Sequence, residues 1–192
     1  MTTVNPWVKT RPDPPKSSPQ PNPARDSTGV AEAASPVVGS GLPVTTTSRT
    51  AALWFVGAHG GAGESTLARF RPDWAEAQHR WITNHSGVTR CLLIARSNVT
   101  GLLAAQAALT QWSTRSPDAG WDCVGLVLLA DAPGQLPKPL RDLAQLVAGG
   151  APRSWRLPWV EDWRTDPDAG LRAAPRAVRG TVEQLNKLAE GA

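Results

Sequence analysis

The sequence predicts a three-layer α/β domain on a mostly parallel sheet of about four to five strands, with a tail ahead of it. Three observations carry the prediction. Short runs apolar at every position, such as Leu53-Trp54-Phe55-Val56, alternate with segments of helical spacing. A strand apolar on both faces is one that helices cover above and below, which is the parallel arrangement with crossover helices. Nine of the 18 prolines lie between Pro6 and Pro43, in sequence too poor in apolar periodicity to offset its ordering entropy.

Residues 1–49 therefore read as a disordered Pro/Ser/Thr-rich tail, extended around Pro12, Pro14, Pro15, Pro19, Pro21 and Pro23. Residues 50–192 form the α/β domain. Ala51 to Gly57 is its first buried strand. A helix begins at Ser65 and is short or kinked, because Pro72 cannot sit in a helix interior. A second helical piece is expected from Pro72 to Ile82, with Trp74, Ala77 and Trp81 on one face. Asn84 to Gly87 is a turn, and Cys91 to Ala95 is the next strand.

Thr100 is the expected cap of a helix carrying Leu102, Ala105, Leu109 and Trp112 on one side. A polar loop, Ser113 to Trp121, leads to a third strand, Cys123 to Leu129. Asp131-Ala132-Pro133-Gly134 turns the chain into a helix that opens at Pro139, shows Leu140, Leu143, Ala144 and Val147 as a stripe, and ends at Gly149-Gly150. A fourth strand runs from Ser154 to Leu157. Trp159 to Pro175 is irregular, and Ala177 to Ala189 is a closing amphipathic helix.

The bulk numbers exclude several classes. A net charge of +4 would suit a nucleic-acid partner, but the arginines are interleaved with acids, as in Glu161-Asp162-Trp163-Arg164, and form no dense run. Phosphate-backbone affinity comes from clustered cations, so nucleic acid is not the expected partner. Two cysteines, Cys91 and Cys123, make no disulfide framework and read as buried thiols. The first thirty residues lack a signal-peptide pattern and no run has the ~18–20 apolar residues of a membrane span, so the expectation is a cytoplasmic protein.

The chemistry concentrates where the first strand ends. Val56-Gly57-Ala58-His59-Gly60-Gly61-Ala62-Gly63-Glu64-Ser65-Thr66 passes from strand through a glycine-dense turn into a helix. Glycines there let backbone N–H groups approach an anion, and the helix start adds its positive dipole end. The candidate cofactor-binding residues are Gly60, Gly61, Ala62, Gly63, Glu64, Ser65 and Thr66. A working loop of this type has Lys before the hydroxyl pair, and here Glu64 stands there. At ~4 Å and an effective dielectric of ~20, each charge term is on the order of 4 kcal/mol, so the exchange turns attraction into repulsion.

The loop resembles the deviant phosphate-binding loop of the MinD/ParA-type ATPases, Lys-Gly-Gly-x-Gly-Lys-Thr/Ser-Thr. Gly60, Gly61, Gly63, Ser65 and Thr66 match it, and His59 and Glu64 replace both lysines. The resemblance implies a P-loop NTPase-like fold, truncated, with ATP or another nucleotide as the cofactor. In that family one lysine reaches across a dimer to the phosphates and the other holds them. The segment Cys91 to Leu129 looks like the family's C-terminal half, so its acidic motifs would be missing along with the middle. The whole chain is also similar to an uncharacterised bacterial family of degenerate loop proteins.

Three readings of the loop stand side by side: a structural turn in which Ser65 and Thr66 cap a helix and Glu64 complements its dipole, nucleotide binding without turnover with Arg96 as substitute cation, and a protein-interaction module. Together they predict a non-catalytic or weakly nucleotide-binding accessory protein. The alternative is an atypical MinD/ParA-type ATPase in partitioning or secretion whose partner supplies the missing groups. His59 could touch a phosphate or be a solvated turn residue, and Asp131 could read a base or simply form a turn. His79 and His85 have no partners at zinc spacing, and Ser65 has no assignable base. Of the nine tryptophans, Trp54, Trp74, Trp81 and Trp112 read as core, while Trp155, Trp159 and Trp163, interleaved with arginines, form the candidate partner surface.

Overall fold

The computed structural model describes residues 41–166 and 168–190. The elements in chain order are β1 (Val44–Thr46), β2 (Leu53–Gly57), α1 (Glu64–Ala68), β3 (Trp74–Glu76), β4 (Trp81–Thr83), β5 (Thr89–Arg96), α2 (Val99–Ser113), β6 (Trp121–Leu129), α3 (Lys138–Gly149), β7 (Ser154–Leu157), α4 (Asp162–Thr165) and α5 (Arg176–Glu190). Five strands form one parallel sheet in the order β3-β2-β5-β6-β7, and β1 pairs with β4 in a separate two-stranded parallel sheet. Among the described residues no helix is long and apolar enough to cross a membrane.

The continuous apolar strands divide their side chains between two cores. Trp54, Val56, Cys91, Leu93, Ala95, Cys123, Leu126 and Leu128 face one way and pack with Leu102, Ala105 and Leu109 of α2 and Ala144 and Val147 of α3. Leu53, Phe55, Leu92, Ile94, Val127, Leu129 and Leu157 face the other way and pack with Leu67 of α1 and Val178, Val182 and Leu185 of α5. The period of two in a strand thus builds the middle layer of three, since each apolar run supplies both cores. Cys91 and Cys123 are free and buried, paired across β5 and β6. Burial raises both thiols to a pKa of about 12. Arg90 at the start of β5 donates to the carbonyls of Leu188 (2.7 Å) and Ala189 (3.3 Å), placing a cation at the negative end of α5.

Four expectations need correction. Residues 72–82 are not helical: Trp74 and Ala75 pair with Leu53 and Trp54 along the open edge of β2, and a turn through Gln78 (φ 52°) and His79 (φ 60°) leads into β4. Tryptophan suits a half-buried strand, and the unpaired edge of β2 overrode a helical spacing carried by only three residues. The tail does not reach residue 49, because Val44–Thr46 is strand and Leu42 is buried. Gln111 anchors that segment, accepting from the Leu42 N–H (2.7 Å), donating to the Leu42 carbonyl (2.8 Å), and accepting from the Trp81 indole (2.9 Å). The expected tail over residues 1–40 lies outside the described residues. The cap of α2 is Asn98, whose Oδ1 accepts from the Gly101 N–H at 2.7 Å, rather than Thr100. Neither Ser65 nor Thr66 caps α1, which begins at Glu64 after Gly63.

A candidate anion cleft at the carboxyl edge of the sheet

The chain leaves β2 through α1 on one face toward β3, and leaves β5 through α2 on the opposite face toward β6. Loops after β2 and β5 therefore diverge, and the gap between them at the carboxyl ends of the strands is the topological switch point where open α/β sheets hold ligands. The glycine loop forms one wall of this gap. The residues that follow β5, Arg96 to Asn98, form the other.

Within the loop, His59 to Ala62 closes as a turn, with the Ala62 N–H donating to the His59 carbonyl at 3.2 Å. Gly63 has φ 100° at the entry to α1, a conformation that only glycine adopts cheaply. His59 spans the gap: its Nε2 accepts from the Arg96 N–H at 3.1 Å, and its Nδ1 lies 2.8 Å from the Gly60 carbonyl, which makes Nδ1 the protonated nitrogen.

Glu64 does not face the loop mouth. It is buried, and its Oε2 accepts from the N–H of Gly57 (2.5 Å) and of His79 (3.4 Å). His79 Nδ1 lies 3.1 Å from the Gly57 carbonyl and 3.5 Å from Glu64 Oε1. The carboxylate thus ties the first turn of α1 to the end of β2 and to the left-handed turn after β3. A β-carbon on Gly57 would come within 2.6 Å of His79 Nδ1 and 3.0 Å of Glu64 Oε2, so a glycine is required by close approach.

The loop also borders a cleft of about 350 Å³, lined by His59, Gly60, Gly61, Arg96, Asn98, Thr100, Asp131, Trp159 and Arg164. Arg96 reaches across it, with Nε donating to the Gly61 carbonyl (3.3 Å) and NH1 to the Ala130 carbonyl (2.9 Å). Burial lowers its pKa, and the nearby Asp131 works against that shift. Asn98 Nδ2 donates to Asp131 Oδ1 at 3.0 Å, and the Asp131 N–H donates to Ser97 Oγ at 3.3 Å. Arg164 lies over the Trp159 ring, 5.5 Å from its centroid, and the Trp159 indole donates to Glu161 at 2.7 Å.

The cleft takes in only part of the sequence-predicted site. Gly60 and Gly61 line it, Ala62 and Glu64 are buried, and Thr66 instead borders a smaller hollow with Arg96, Leu129 and Trp163. Arg96, His59 and Asp131 are brought together as the parallel sheet requires. Asn98 and Arg164 are additions that the residues alone did not single out, and Thr100, read from the sequence only as a helix cap, is a third. Asn98 and Thr100 were within reach, because in a parallel sheet the residues just past each strand end share one edge.

Of the three tryptophans of the expected partner surface, Trp159 and Trp163 border the smaller hollow together and Trp155 lies apart on α5. Trp155 donates to Gln184 on α5 (2.8 Å), and Trp163 donates to the Gly170 carbonyl (3.0 Å) and packs on Phe70. All three are half-buried, and Trp159 lines the cleft. Among the described residues no three His, Cys, Asp or Glu side chains cluster as metal ligands.

No curated protein and no solved structure matches the sequence. A family model does match, over residues 51–182, a span that contains the five-stranded sheet, the glycine loop and every residue of the cleft. The chain belongs to this family of unknown function (DUF6668).

Proposed function

We propose that the chain is a non-catalytic, P-loop-like module that holds a phosphate-bearing ligand, weakly a nucleotide, in the cleft at the carboxyl edge of its sheet and acts through protein partners. One observation carries this reading: at the switch point a glycine loop and two guanidiniums, Arg96 and Arg164, border one cleft of about 350 Å³, while Glu64 is turned inward. That volume falls in the range of small-ligand sites, roughly 300–1,000 Å³. Oriented guanidiniums are the side chains suited to phosphate oxygens.

The residues that chemistry would need are engaged elsewhere. The Glu64 carboxylate is occupied by Gly57 and His79, and Asp131 is held by Asn98. Half-buried Trp159, with the exposed Arg164 over its ring, is the part of the expected partner surface that borders the cleft.

Backbone hydrogen exchange with and without ATP tests the reading. The expected result is slowed exchange at residues 57–66 and 96–101, a dissociation constant of about 0.1–1 mM, and no phosphate release. Protection elsewhere only would remove the cleft from the proposal. Sustained phosphate release would favour the atypical MinD/ParA-type ATPase instead.

A further inference from the structure

Arg96 is a half-buried cation whose hydrogen bonds go to the carbonyls of Gly61 and Ala130, and it forms no ion pair among the described residues. Carbonyl dipoles engage Nε and NH1 but leave a unit charge partly withdrawn from water, with Asp131 near it but in no ion pair. Burial pushes its pKa down, as expected for such a charge. Arg164 brings a second guanidinium to the cleft wall, held there by Trp159 without being neutralised. Two cations thus border one small space.

The opposing charge on the cleft lining is Asp131, and one of its oxygens already accepts from Asn98. Glu64 turns its carboxylate away, into the Gly57–His79 contact. A magnesium ion takes oxygen ligands, keeps several waters and is usually held by one or two carboxylates together with substrate phosphates. Here a divalent cation beside a bound phosphate would meet one engaged carboxylate and two guanidiniums that repel it.

Resting on the reading of this cleft as a phosphate site, we infer that it takes a phosphate or polyphosphate free of divalent metal, with Arg96 and Arg164 supplying the countercharge. Magnesium is then a competitor for the ligand. Its binding to ATP removes the negative charge that the two arginines recognise.

The test is calorimetric titration of the full chain with ATP in EDTA, ATP in excess magnesium, and tripolyphosphate in EDTA. Metal-free ATP and tripolyphosphate are expected to bind at least ~5-fold more tightly than the magnesium complex. Arg164→Ala is expected to weaken metal-free ATP ~5–10-fold with an unchanged thermal midpoint, because Arg164 is exposed. Equal or tighter binding of the magnesium complex overturns the inference and leaves the nucleotide reading standing. Heat from none of the three ligands removes both. Unchanged affinity in Arg164→Ala overturns the assignment of the countercharge to this cleft.

Discussion

The buried base of the glycine loop, its floor, and the cleft at its mouth treat charge in opposite ways. On the floor, Glu64 is buried with donors already in place, from the Gly57 and His79 N–H groups and beside the His79 ring. At the mouth, Arg96 and Arg164 hold positive charge with carbonyls and an aromatic face for company. A buried charge closed in by its own donors serves the fold, and a cation at a cleft wall in no ion pair is open to a ligand. By that criterion the residue that looks like a defect in a phosphate loop is structural, and the proposed binding capacity lies at the neighbouring strand end.

The largest effect that could break this contrast is Glu64→Lys. If Glu64 were only a lost lysine, the exchange would restore phosphate binding. With the carboxylate on the floor, a buried cation would instead face two N–H donors, and the expected result is a loss of about 3–5 kcal/mol in urea unfolding with no gain in ATP affinity. Glu64→Gln keeps an acceptor for the Gly57 N–H and should cost less. A stable Glu64→Lys protein that binds ATP more tightly would refute the division.

Gly57→Ala probes the same floor without changing charge. The added methyl meets His79 Nδ1 and Glu64 Oε2 closer than side chains pack, so either the strand end or the His79 turn must shift. A destabilisation of about 1–3 kcal/mol is expected, measured by the same unfolding curves. A neutral result would mean that the Glu64–His79 contact yields easily and is no anchor.

Behind both regions the sheet interior should ignore neutral pH. Cys91 and Cys123 are held protonated, each raised from 9.0 to about 12 by burial. The folded value lies above the unfolded one, so their contribution to stability is complete below pH 9 and is lost as pH rises from there toward about 12. Alkylation at pH 8 should accordingly label neither thiol until denaturant is added. Labelling of the native protein at the rate of a free thiol would show that the paired core strands open.

The sheet was legible because its information is local and redundant: Leu53–Val56, Cys91–Ala95 and Cys123–Leu129 are each apolar throughout, and α3 and α5 carry clear stripes. Residues 72–82 were not, because Trp74 and Trp81 satisfy a helical and a strand pattern alike, and the deciding partner, the edge of β2, is remote in sequence. Val44–Thr46 was hidden for the same reason, being a three-residue strand fixed by β4 and by the side chain of Gln111. In the site, the glycine spacing marked the loop correctly as a tight turn. The direction of Glu64 was not readable, since it depends on Gly57 and on the positive φ of His79. Arg164 reaches the cleft through the irregular segment after β7, which has no periodicity to read.

The smallest stability effect gives the sharpest view of the mouth. Asn98 has two jobs there, capping α2 through Oδ1 and holding Asp131 through Nδ2. Asn98→Asp keeps the first, because a carboxylate caps a helix as well as an amide does and suits its positive end, so stability should change by only a few tenths of a kcal/mol. The second is replaced by a like charge facing Asp131, inside the space that the two arginines share. Anion affinity should therefore fall ~3–10-fold, and the deficit should shrink as salt is raised, since screening acts on exposed charges and not on the buried floor. Calorimetry with tripolyphosphate at low and high salt separates the possibilities. An unchanged affinity in a protein of unchanged stability would mean that the anion sits elsewhere, and that the charges at the mouth, like the one on the floor, belong to the fold.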